Sequence, residues 1–358
     1  MDPPMIMMRN LLIAALLAAL AASVGAQGQK TTYKVPRTPD GQPDFQGYWT
    51  NLTYTPYERP KELANKPFYT EKEAIEAFNK AVDGSENQVV HYVNTDFGAT
   101  PVQTGAKPNL RTSLVIDPPD GRIPPMTPEA QKREATRAAA QRAAGPLART
   151  WRDDRGTVWC VFHERAVPAV TAPYGSNYQI VQSKNSIVMI YEWNSERRVI
   201  SLDQPHGTVP LYAGDSRGHW EGDTLVVDTT HFNPKRTFMG SPGTPPAVSV
   251  TPTFHLTERF TRTADDTIVH TYTVDDPMTW TRPWTVEMPL HRIKGPMLEY
   301  ACNENNADAF TTLRNARLQE AGKLAPPDRT RNVEDPKATV LEREGTEGGK
   351  AGEAGGVK

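Results

Sequence analysis

The chain has 358 residues, with 40 Lys and Arg against 42 Asp and Glu and a formal net charge of −2. That balance removes the electrostatic case for a nucleic-acid partner or an anionic membrane surface. Thirty-two Pro and 25 Gly favour turns over long helices, while seven Trp and 12 Tyr, mostly in strand-like segments, point to a β-rich core.

The first predicted element is a secretory signal over residues 1–26. Arg9-Asn10 gives a positive start, and Leu11 to Val24 is an almost unbroken apolar run. Val24-Gly25-Ala26 offers the small residues a signal peptidase accepts, which makes Gln27 the expected mature N-terminus. The run is too short for a good membrane anchor, and no Cys follows it to accept a lipid. The expectation is a periplasmic or secreted, soluble protein of about 330 residues with no stable membrane insertion after cleavage. Export also removes the cytosol's ATP, NAD and reducing poise, so no cofactor is expected.

Residues 27–43, polar with Pro and Gly, read as an extended arm, and residues 44–323 as one β-rich domain. Asp44 to Thr50 is the first strand. Glu71 to Val82 has helical spacing, with Ala74, Ile75 and Phe78 on one face and Thr70 as N-cap ahead of Glu73. Arg111 to Ile116 is a short strand ending in the turn Asp117-Pro118-Pro119-Asp120-Gly121. Thr127-Pro128-Glu129 opens a second helix reaching Ala144, whose Ala, Arg, Gln and Glu suit a solvated rim.

From residue 157 the pattern becomes strand, turn, strand. Tyr178–Gln182, Ser186–Trp193 and Arg198–Leu202 form a meander, and Arg217–Trp220 and Thr224–Thr229 flank the tight turn Glu221-Gly222-Asp223. Phe254–Arg262, Thr267–Val274 and Trp284–Ile293 follow, with Met297–Ala301 as a further strand and Asn303–Glu320 as a terminal helix. Residues 324–358, rich in charge, Pro and Gly, read as a disordered tail. Eight or more short antiparallel strands at regular spacing predict a mainly β fold, an antiparallel barrel or sandwich of lipocalin-like type with a few peripheral helices. Cys160 and Cys302 are the only cysteines. In an oxidising compartment they form one disulfide, closing a loop of about 140 residues and contributing about 3–5 kcal/mol; a pair of buried free thiols is the other reading.

Two blocks stand out: Gly214-Asp215-Ser216-Arg217-Gly218-His219-Trp220-Glu221-Gly222-Asp223-Thr224-Leu225-Val226-Val227-Asp228-Thr229, and the stretch from Arg111 to Pro125. With Asp44–Asn51, Val274–Pro277 and Trp280–Trp284 they resemble a large, uncharacterised family of secreted bacterial proteins. The resemblance covers nearly all of the chain between signal and tail, and it implies export but no particular chemistry. Gly47-Tyr48-Trp49 is similar to the Gly-x-Trp at the start of the first strand in lipocalin-type barrels, where the Trp closes the narrow end. An ordinary core Trp after a tight turn explains the same three residues.

Among candidate catalytic side chains, Glu192 follows Val188 and Ile190 in a segment apolar on both faces, where a carboxylate is either an acid–base group or half of a salt bridge to Arg197 or Arg198. His270 shares a face with Ile268, Tyr272 and Val274 and points inward, as a core histidine or a functional one. Alternation places Arg217 and His219 together, opposite Trp220; on a cavity wall they would suit an anionic or carbonyl oxygen. Glu221 and Asp223 read as exposed turn formers rather than a carboxylate pair. Trp49, Tyr178, Trp220, Tyr272, Trp280 and Trp284 are candidates to line an aromatic ligand site, with Arg259 and Arg282 as anion contacts. Six histidines between His206 and His291 form no HxH or HExxH pattern, so no metal is expected, and no nucleophile motif or phosphate loop is present.

Three functions fit these residues. The first is a barrel binding a small apolar or aromatic molecule. The second is a cofactor-independent hydrolase, isomerase or lyase using Glu192 or His270 with Arg217 or Arg259. The third is a scaffold whose interior holds no ligand.

Overall fold

The computed structural model describes residues 33–88, 105–144, 167–168, 171, 176–239, 245–297, 299–301, 304 and 308–324. The signal segment, the tail and both cysteines, with their expected disulfide, lie outside these residues.

The strands are β1 (Gly47–Thr50), β2 (Val115–Asp117), β3 (Asn177–Gln182), β4 (Ser186–Tyr191), β5 (Arg197–Ser201), β6 (Asp215–Glu221), β7 (Thr224–Thr230), β8 (Thr237–Phe238), β9 (Val248–Ser249), β10 (His255–Ala264), β11 (Thr267–Asp275) and β12 (Trp284–Arg292). Nine of them close into a barrel in the order β1-β3-β4-β5-β6-β7-β10-β11-β12, and the ring is completed where Trp49 pairs with Arg292 and Thr50 with His291. The strands therefore form a barrel and not a sandwich. β2 adds to the free part of β12, and β8 and β9 pair separately. No strand forms at 297 or 299–301.

Period-2 alternation dictates the walls. β11 buries Ile268, His270, Tyr272 and Val274, and β12 buries Trp284, Val286, Met288 and Leu290, while the residues between them face outward and are less buried for the most part. Closure removes the unpaired edges that an open sheet of this length would expose.

One junction departs from the antiparallel expectation. β5 and β6 run parallel, joined by only two residue pairs, Ile200↔Ser216 and Ser201↔Arg217. Parallel neighbours need a crossover of about a dozen residues, and the loop 202–214 supplies it. The strands approach closely there: a Cβ on Gly218 would lie 2.8 Å from Ile200 Cγ2.

A chain of buried polar side chains reinforces that junction. Five neighbouring strands contribute one each: Arg198 from β5, Ser216 from β6, Thr229 from β7, Glu258 from β10 and His270 from β11. Arg198 donates to Ser216 Oγ at 2.9 Å, to Thr229 Oγ1 at 2.9 Å and to both carboxylate oxygens of Glu258. His270 Nε2 meets Glu258 Oε1 at 3.1 Å. Burial alone would push the Glu258 carboxyl up, but the Arg198 guanidinium and His270 outweigh it and hold it well below the usual carboxylate range.

One end of the barrel is formed by the hairpin turns after β3, β6 and β10. The arm read as extended lies across it. Arg37 pairs with Asp223, Tyr33 Oη donates to Asp265 Oδ1 at 2.9 Å, and Gln42 Nε2 donates to Lys184 O at 2.7 Å. Gly47 (φ +125°) explains the Gly-x-Trp pattern: a Cβ there would lie 2.5 Å from Arg292 Nη1, and that guanidinium stacks 4.4 Å over Trp49.

Three helices lie outside the barrel: α1 (Glu71–Gln88), α2 (Pro128–Ala144) and α3 (Asp308–Glu320). Thr70 and Glu73 form the expected capping box on α1, with Thr70 N–H donating to Glu73 Oε2 at 2.9 Å and Glu73 N–H to Thr70 Oγ1 at 3.3 Å. Ala74 and Phe78 face the barrel, whereas Ile75 is 51% exposed, so the buried face is rotated from the one expected.

Arg198→Met leaves the buried Glu258 carboxylate with His270 but without its guanidinium partner, and a loss of about 3–5 kcal/mol in urea unfolding is expected. Arg198→Met with Glu258→Leu should recover part of that loss. A single variant as stable as the parent would show that the pair does not hold the junction.

Candidate functional site

The barrel interior is filled. Trp49, Tyr178, Tyr272 and Trp284 are each 0–1% exposed, and Leu256, Phe260 and Glu258 no more than 2%. Phe260 stacks on His270 with rings 4.1 Å apart, and Trp280 packs edge-on against Trp284 and Phe238. The hydroxyls of Tyr57 and Tyr272 pair with each other. Tyr178 Oη and His270 Nδ1 are buried with no partner among the described residues.

Three of the expected ligand-lining aromatics, Tyr178, Tyr272 and Trp284, thus share this interior with His270, as packed core. Trp49 sits between β1 and the arginines of the closed end, and its indole donates to Phe45 O at 2.9 Å. Trp220 is half-buried against Phe45, with rings 5.3 Å apart. Arg217, His219 and Arg259 lie on the outer wall: Arg217 pairs with Asp215 at 2.7 Å, while His219 (3.2 Å) and Arg259 (2.6 Å) both reach Glu221. Arg282 is exposed and holds both oxygens of Asp117, at 2.9 and 2.7 Å, instead of stacking on an indole.

Glu192 lies just past the end of β4. Its carboxylate accepts weakly from Asn177 N–H at 3.4 Å, and burial pushes its pKa up despite that contact. Of the two arginines it was expected to pair with, Arg198 is committed to Glu258 and Arg197 makes no ion pair with Glu192. The four expected acid–base and anion groups therefore do not converge: His270 is inside, Arg217 and Arg259 are outside, and Glu192 is at a strand end.

Two accessible features remain. The first is a cleft of about 320 Å³ between α1 and the loop segments that carry Tyr54, Tyr69 and Lys107. Tyr54, Pro56, Tyr69, Ala74, Ala77 and Phe78 supply its apolar surface, with Lys80, Lys107 and Arg111 around them. Lys107 is held by Asp266 at 2.6 Å and Arg111 by Glu287, whereas Lys80 is exposed with no carboxylate partner among the described residues. Within it Phe78 packs edge-on against Tyr54, 5.7 Å between rings. None of its residues was singled out from sequence as a site residue, since a helix, a loop and a strand lead-in share no periodicity.

The second is a cluster on the outer wall beneath the crossover loop, comprising His206, Asp215, Asp228, His231 and His255. His206 Nδ1 lies 3.0 Å from Asp215 Oδ2 and its Nε2 lies 2.8 Å from Asp228 Oδ1, while His255 Nε2 closes on Asp228 Oδ2. Asp215 also accepts from Gly207 N–H at 2.7 Å. Burial pushes that carboxyl up, but Gly207, His206 and Arg217 together hold it below its ordinary value. Loop, strand start and strand end contribute one residue each to the triad His206, Asp215 and His231, which is why no ligand spacing was visible.

Comparison with family models, curated proteins and solved structures finds no match to this chain.

Because the folded state raises the Glu192 pKa, its charge opposes folding once the pH passes the ordinary carboxylate range. Glu192→Gln is expected to raise Tm at neutral pH and to leave it unchanged below that range. Thermal melts at the two pH values check this; an equal shift at both would remove the ionisation argument.

Proposed function

We propose that the chain is an exported β-barrel protein that binds a small, largely apolar or aromatic molecule in the cleft beside α1. The observation that carries this reading is the lining of the cleft: aromatic and alanine surface meeting the exposed Lys80, whose ammonium has no carboxylate partner among the described residues. At about 320 Å³ the cleft lies at the small end of ligand sites. It suits one aromatic ring system with an acidic substituent, the ring on Tyr54 and Phe78 and the anion towards Lys80. The filled interior supports an outside site, because a ligand within the barrel would have to displace side chains that are 0–1% exposed.

The probe is 1-anilinonaphthalene-8-sulfonate, an aromatic anion whose emission rises on leaving water. Saturable binding at one equivalent is expected. Ala77→Trp fills the cleft and should abolish it, and Lys80→Glu should weaken it about tenfold, the equivalent of roughly 1.4 kcal/mol. Binding unaffected by Ala77→Trp would overturn the reading. Export rests on the apolar run before Gln27 and on the resemblance of residues 214–229 to secreted proteins. N-terminal sequencing of chain recovered from the periplasm should begin at Gln27; recovery only from the cytosol with residues 1–26 intact would refute it.

A further inference from the structure

We infer that His206, Asp215 and His231 form a binding site for a divalent first-row transition ion, with zinc the ion best matched to two imidazoles and a carboxylate. One donor atom from each residue lies within 4.8 Å of the other two. A tetrahedral zinc ion with bonds of about 2.0–2.1 Å separates its donors by about 3.3 Å, so side-chain rotation of the exposed partner completes the set. His231 is that partner, since it is exposed and Asp215 is not.

The surroundings match what a ligating histidine requires. His206 turns Nδ1 towards Asp215 and directs Nε2 at the Asp228 carboxylate, 2.8 Å away. A carboxylate behind the distal nitrogen fixes the tautomer and raises the basicity of the ligating one. Asp228 is in turn anchored by His255. Asp215 Oδ1 is occupied by Arg217 at 2.7 Å, and Oδ2 faces His206. Thr230 Oγ1 stands 3.4 Å from His206 Nδ1 and 2.8 Å from His231 Nδ1, linking the two imidazoles.

The backbone holds this arrangement in place. His231 adopts φ +52°, a left-handed conformation that costs a non-glycine residue energy. It is pinned there because Leu211 N–H donates to His231 O at 2.9 Å and Asn233 N–H to Leu211 O at 2.8 Å. These bonds tie the crossover loop that carries His206 to the segment that carries His231. Three protein donors leave the remaining coordination positions open towards solvent, the arrangement of a site that exchanges water for a ligand oxygen. The site shares no residue with the cleft, so it stands or falls independently of the binding reading.

The same geometry has a metal-free alternative, in which a proton on each nitrogen of His206 satisfies Asp215 and Asp228. Zinc binding separates the two. The full chain, stripped with EDTA and dialysed, is equilibrated with zinc chloride and analysed for bound metal, with cobalt(II) as the visible-absorption probe of imidazole ligation. One tightly bound equivalent is expected. His231→Asn keeps a residue that tolerates positive φ, so it should fold with unchanged circular dichroism and yet lose at least tenfold in affinity. Asp228→Asn, which touches no metal, should cost about 10–100-fold. The proposal is overturned if the parent binds no zinc, if His231→Asn binds as tightly as the parent, or if binding disappears only with Cys160→Ser and Cys302→Ser.

Discussion

The two charges sealed inside the barrel, Arg198 and Glu258, constrain everything around them, because neither can be desolvated without the other. In a medium that excludes water, an unpaired guanidinium or carboxylate costs several kcal/mol. The five strands that carry Arg198, Ser216, Thr229, Glu258 and His270 must therefore keep their registers for every donor to find an acceptor. Between β5 and β6, as at the β1–β12 closure, two residue pairs replace the five to nine of the antiparallel hairpins. Arg198 spans the β5–β6 gap with its side chain, contacting β6, β7 and β10 from one position on β5.

A core closed in this way leaves the outer surface as the place for the proposed binding. The barrel acts as a rigid frame on which two accessible features are mounted by different means. The cleft uses a helix and one aromatic contact, Phe78 against Tyr54. The histidine and aspartate cluster uses the crossover loop that the parallel junction makes necessary. The one irregularity in the strand order thus supplies the segment that brings His206 over Asp215.

Much of the barrel was legible in the sequence because period-2 alternation and turn residues are local signals. Trp284, Val286, Met288 and Leu290 declare an inward face by spacing alone, and Thr70 with Glu73 declares a helix start. Gly47-x-Trp49 was legible as a pattern, although its cause, an arginine from β12 passing over the glycine, lies far away in the chain. Glu258 was missed although alternation puts it on the face of Leu256 and Phe260. Its charge disguised it, and only the partner on β5 reveals why it can be buried. The parallel pairing was not readable, because nothing in residues 202–214 states which edge the chain returns to. The same holds for His206, Asp215 and His231, which become neighbours only after that return.

The strap across the hairpin end carries a kinetic consequence. The arm's contacts join residues 142 to 232 positions apart, from Gln42 with Lys184 to Tyr33 with Asp265. Closing so long a segment costs entropy before any bond repays it, and ladders of this separation form slowly. The earliest part of the barrel to be synthesised must wait for the latest. In that interval β1 and the end of β12 are open edges, each able to accept a strand from another copy. How quickly residues 44–50 are captured by β12 sets the time available for self-association while the chain folds.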